Sequence, residues 1–216
     1  GSIDEAIKKV LRTESQDQVM NNQDFHRLVA NGIPVQFKRS DGTIKDELVW
    51  LFDFENVGNN EFLAVNQFTI IEERNNRRPD IILFVNGLPL VLIELKNPAD
   101  ENATISTAFK QFETYMQEIP SVFRYNELLI ISDGTYAKAG TITSKEERFS
   151  PWKTINAKKT PTTTPQLEVL QKGMLNKTTL LDLIRHFIVF EAEKDKEGSV
   201  KISKKITQYQ QYNAVQ

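Results

Sequence analysis

No cysteine occurs among the 216 residues. That excludes disulfide frameworks, cysteine-ligated zinc and thiol nucleophiles. It also fits a reducing compartment, so a cytoplasmic location is expected. Histidine is scarce: His26 and His186 lie far apart in the chain, each on an expected helix with apolar neighbours, and both read as packing residues rather than ligands. No apolar stretch approaches the ~20 residues of a membrane-spanning helix; the longest, 81–85 and 88–93, are strand-sized. No basic-then-apolar leader opens the chain, and Gly1-Ser2 reads as a cloning remnant on an excised piece. A surplus of one charge sign is missing too, with 27 basic against 29 acidic residues and a net charge of −2. Such a sum does not announce a nucleic-acid binder, although one face can still be basic. There is no Gly-x-x-x-x-Gly-Lys-Ser/Thr phosphate loop.

What is present is ordinary globular composition, 39% hydrophobic and 26% charged, enough to close a sizeable core. Helical spacing predicts helices over 3–11 and 22–30, the second stopped by Asn31-Gly32 and Pro34. The pattern then changes to strands over 35–39, 43–54 and 62–71, followed by a basic loop over 74–79. Residues 80–85 and 90–95 are nearly continuous apolar runs joined through Asn86-Gly87, a strong hairpin signal. Such runs suit central strands covered on both faces. A helix is expected over 103–118, closed by Pro120, then a strand over 127–132 and one more over 136–143. Helices are expected over 167–175 and 178–190, and a last strand or helix over 201–215. The strand-helix-strand unit through 103–118 favours parallel pairing. The fold class is therefore α/β in the broad sense, an α+β protein with a central mixed β-sheet flanked by helices.

Three features converge on that sheet. Pro79-Asp80 opens one apolar strand, and Glu94-Leu95-Lys96 ends the next. Side chains alternate along a strand, so Glu94 and Lys96 share a face. The hairpin brings Asp80 beside them. Two carboxylates can hold Mg²⁺, which takes oxygen ligands. An ammonium beside them can stabilise charge on a phosphate under attack. Each residue also has a plain reading: Asp80 ends a loop, and Glu94 pairs on the surface with Lys96 or Arg77. Placement favours the chemical one, because these polar groups punctuate apolar runs where each needs a partner. Gln111 and Tyr115, four residues apart, share a helical face; alone they read as a solvated neighbour and a core residue. Arg74, Arg77 and Arg78 precede Asp80 and suit either phosphate contact or a solvated loop. Trp50 and Trp152 are expected in the core.

The segments Arg77-Arg78-Pro79-Asp80-Ile81, Glu94-Leu95-Lys96-Asn97-Pro98 and Gln111-Phe112-Glu113-Thr114-Tyr115 are similar to PD-(D/E)XK nucleases with a QxxxY element. Together with Val65-Asn66-Gln67-Phe68, Phe123-Arg124-Tyr125-Asn126 and Ile131-Ser132-Asp133-Gly134, the run from about Asn22 onward resembles the N-terminal endonuclease domain of the restriction (R) subunit of type I restriction-modification enzymes. The resemblance implies a restriction-endonuclease-like core. It implies Asp80 and Glu94 as metal ligands for Mg²⁺, or Mn²⁺ in its place, and Lys96 as the catalytic lysine. Gln111 and Tyr115 would support the site and contact nucleic acid, with Arg77 and Arg78 beside them. Double-stranded DNA is the implied substrate, and methyltransferase (M) and specificity (S) subunits are the implied partners. ATP would serve only a motor outside this chain, toward which 205–215 leads. The family's earlier acidic helix is expected to precede this chain; Glu5 and Glu14 sit in no matching motif. The expected organisation is N-terminal helices over 1–34, nuclease core over 35–145 and a helical extension over 146–216. The competing reading is a catalytically silent DNA-binding or motor-docking module.

Overall fold

A computed structural model describes residues 2–13, 15–38, 41–97, 104–156, 161, 163–194 and 198–215. Glu14, Arg39, Ser40, Pro98 and Ala103 fall outside the described residues. Helix α1 (Ser2–Leu11) buries Ala6 and Val10. Helix α2 (Gln18–Asn31) starts four residues earlier than its apolar spacing suggests, because the Asp17 carboxylate caps it by accepting the Val19 and Met20 N–H groups. It ends at Gly32, whose φ of +77° suits glycine. The hairpin of β1 (Ile33–Lys38) and β2 (Ile44–Val49) is antiparallel and forms a sheet of its own. The strand expected over 43–54 therefore stops at Val49. Trp50 is not a core residue: it is 42% exposed. Its ring lies against Gly32 on one side and takes the Arg185 guanidinium 5.1 Å from its centre, a cation–π contact that suits a half-wet indole.

The strand expected over 62–71 is broken in two. β3 (Phe62–Asn66) ends where Gln67 adopts a φ of +52°. β4 (Ile70–Glu72) then pairs with β5 (Asn75–Arg77), so part of the expected basic loop is a small ribbon. β6 (Ile81–Val85) and β7 (Leu88–Leu95) form the antiparallel hairpin through Asn86-Gly87, both at positive φ. Thr104 caps helix α3 (Ile105–Glu118), and Pro120 opens the short α4 (Pro120–Phe123). β8 (Leu128–Ser132) returns parallel to β7, and β9 (Ala137–Gly140) runs antiparallel to β8. The central sheet is thus mixed, in the order β3-β6-β7-β8-β9, as expected for a restriction-endonuclease-like core. Alternation decides its two faces. Ile82, Leu92, Leu129 and Ile131 pack under α3 with Phe112 and Tyr115. Val91, Ile93, Leu128 and Ile130 pack on the other side with Phe25 and Val29 of α2.

After α5 (Gln166–Gly173), helix α6 (Lys177–His186) stops short of the expected 178–190. The Phe187 N–H makes the last helical bond to Leu183, and the β-branched Ile188-Val189 opens β10 (Ile188–Lys194). Its partner is β11 (Val200–Ile206), and α7 (Tyr209–Val215) follows, so 201–215 holds both a strand and a helix. His186 is exposed, not packed. His26 is buried, but its Nδ1 lies 3.1 Å from Glu127. Lys204 of β11 is wholly buried and reaches Glu127 at 2.6 Å, the Asn126 carbonyl at 2.8 Å and Asn22 at 3.0 Å.

Candidate active site

Ile81 pairs with Ile93 in the β6–β7 register. Asp80 and Glu94 are the next residues outward on the two strands, so both carboxylates stand at one end of the hairpin. The Leu95 N–H donates to Asp80 Oδ2 at 2.7 Å. The amide of Gln67 donates to Oδ1 at 2.8 Å. Glu94 follows Leu92 on the face covered by α3 and is 4% exposed. Lys96, on the same face, donates to Glu94 Oε1 at 2.8 Å.

Burial is the largest influence on Glu94 and pushes its carboxyl up; the Lys96 bond opposes that, and the charge of Asp80 adds to it. The balance leaves it above the ordinary glutamate value. Tyr115 enters from α3, and its hydroxyl lies 3.4 Å from both Glu94 Oε2 and the Arg78 carbonyl. Burial, then the neighbouring carboxylates, pushes the phenol up, so it stays protonated and donates. Gln111 sits one turn earlier, half-buried, and its side chain makes no hydrogen bond among the described residues.

Arg77 is occupied elsewhere. Its Nη2 donates to Glu118 Oε1 at 2.6 Å and its Nε to the other oxygen, which latches β5 to the end of α3. Arg74 and Arg78 are exposed beside it. Glu5 is engaged with Lys9 at 2.9 Å on α1. Among the described residues no group of three or more acidic or histidine side chains is placed to share a cation. The donor set at the hairpin end is two carboxylates.

Those donors fit a hard divalent cation. They offer oxygen only, and two carboxylates side by side, one of them desolvated, is the arrangement that an added positive charge relieves. Each oxygen retains a lone pair beyond the hydrogen bond it accepts. Sequence reasoning quoted Gln67 within a motif but gave it no role. Its signal is weak: it follows an alternating strand, and its partner Asp80, one residue before β6, is visible only once the β3–β6 pairing is known.

Residues 2–148 match the family model described as type I restriction enzyme R protein N terminus. The chain is 43% identical to the type I restriction enzyme HindI endonuclease subunit of Haemophilus influenzae over 99% of its own length. It is 32% identical to the putative MjaIXP endonuclease subunit of Methanocaldococcus jannaschii over 87% of its length. It is also 33% identical to the EcoprrI endonuclease subunit of Escherichia coli, over 72% of this chain and 50% of that one. The chain spans 20% of the length of the first two. With the match covering most of its residues, the chain belongs to the family of type I restriction enzyme R protein N termini.

Proposed function

We propose that this chain is the Mg²⁺-dependent nuclease domain of a type I restriction enzyme R subunit, hydrolysing phosphodiester bonds of double-stranded DNA. Mn²⁺ would substitute for Mg²⁺. The observation that supports this reading is the meeting of Asp80, Glu94 and Lys96 at one end of two paired strands. Asp80 and Glu94 would hold the cation. When bound, it supplies Lewis-acid stabilisation of phosphoryl charge and makes water more acidic. Lys96 brings a fixed positive charge to the same rim, where it offsets negative charge building on the phosphate oxygens. The Leu95 N–H and the Tyr115 hydroxyl orient the two carboxylates and move no proton.

None of these groups reads a base edge, so the contacts made here are to phosphate and sugar. Sequence recognition and methylation fall to the S and M subunits. ATP drives a motor outside this chain, and cleavage follows translocation. The test is Asp80→Ala and Glu94→Ala in the complete enzyme. Both should abolish cleavage while ATP hydrolysis and translocation continue, because metal ligation is local to this domain. Undiminished cleavage would favour the silent-module reading. Loss of ATPase activity in a folded Asp80→Ala enzyme would count against a local role.

A further inference from the structure

Gln67 takes a backbone conformation that its side chain disfavours, with φ at +52°. A turn that needed only positive φ would form more readily with Gly or Asn. The kink lets Phe68 set its ring edge-on to Phe84, 5.4 Å between centres, which accounts for a turn but not for glutamine. What glutamine adds is reach. Its backbone N–H donates to the Asp80 carbonyl at 3.0 Å, one residue beyond the last β3–β6 pair, Asn66 with Ile81. Its side-chain amide then donates to Oδ1 of the same aspartate at 2.8 Å. Gln67 is exposed, so its amide has water available and does not depend on this bond for a partner. With the Leu95 N–H on Oδ2, the two oxygens of the carboxylate are fixed from two sides, one by the turn after β3 and one by β7.

We propose that Gln67 is a positioning residue, whose amide holds the Asp80 carboxylate in the orientation that faces the cation beside Glu94. The inference rests on the nuclease reading of Asp80 and Glu94. Partners that orient a ligand in this way commonly change metal affinity about 10–100-fold when removed.

Mn²⁺ binding to the 216-residue chain, followed by the electron paramagnetic resonance signal of the free ion, tests it. The original protein is compared with Asp80→Asn, Gln67→Ala and Gln67→Gly, and each melting temperature is recorded. Asp80→Asn should lose the site. Both Gln67 variants should bind Mn²⁺ about tenfold more weakly or worse, while Gln67→Gly melts no lower than the original because the backbone is relieved. A residue that only shaped the turn would move the melting temperature and leave the affinity alone. Unchanged Mn²⁺ affinity in Gln67→Gly would therefore overturn the inference with the metal site still standing. If Gln67→Ala does not fold, the glycine variant decides the matter. No Mn²⁺ binding by the original protein, or binding that survives Asp80→Asn, would overturn the nuclease reading and this inference together.

Discussion

Lys96 lies 2.8 Å from Glu94 yet has no lone pair to give a cation. Lys96→Ala should therefore stop DNA cleavage in the complete enzyme while Mn²⁺ affinity stays largely intact. If Lys96→Ala lost Mn²⁺ as fully as Glu94→Ala, the separation of the two roles would be wrong. Tyr115 separates packing from polarity. Its ring is buried under α3, while its hydroxyl makes two long contacts. In urea unfolding, Tyr115→Phe should cost about 1 kcal/mol or less, and Tyr115→Ala about 3–5 kcal/mol. Equal losses would mean that the hydroxyl carries more than these distances allow. The nearness of Asp80, Glu94 and Lys96 was legible because strand alternation and one Asn-Gly turn are both local rules. The Arg77–Glu118 latch was not, since its partners are 41 residues apart and on different kinds of element.

At the scale of elements, the β10–β11 hairpin is fastened through the buried Lys204, whose ammonium uses all three donors. Burial pushes the Glu127 carboxyl up, but Lys204 and His26 together draw it below the ordinary glutamate value. A depressed pKa stabilises the fold above the ordinary value, and the contribution is lost as pH falls through that value toward the native one. The stability gap between the original and a Glu127→Gln variant, read by urea unfolding with circular dichroism, should therefore be smaller at low pH than near neutrality. Lys204→Met should cost about 3–5 kcal/mol by leaving the buried Glu127 with only His26 beside it, and adding Glu127→Leu should recover much of it. If the double variant is no more stable than Lys204→Met, the penalty does not come from the stranded charge. The central strands and α3 were readable from periodicity. The end of α6 was not: Leu180–Ile184, apolar but for Asp182, and Ile188–Phe190 read alike, and only pairing with Lys204–Ile206 makes the second a strand. Glu127 read as the start of an apolar strand because its lysine is 77 residues away.

For the molecule as a whole, the net charge of −2 gives little general attraction to a polyanion. The isolated chain should bind duplex DNA weakly and cut it poorly, and its affinity should fall with salt along a shallow slope, because few phosphates displace counterions. Titration of labelled duplex at several salt concentrations with Ca²⁺ present, and a nicking assay with Mg²⁺, would check this. Tight binding that falls steeply with salt would show a basic face that the charge total conceals. The tie between Asn22 and Lys204 spans 182 residues. A ribosome releases α2 and Glu127 well before β11, so Asn22 and Glu127 are made before the lysine that joins them. Until then Glu127 has only His26 beside it, and closing the interior around that carboxylate is costly. A chain arrested before Val200 should stay open to protease, and emergence of the β10–β11 hairpin should bring this domain its protection.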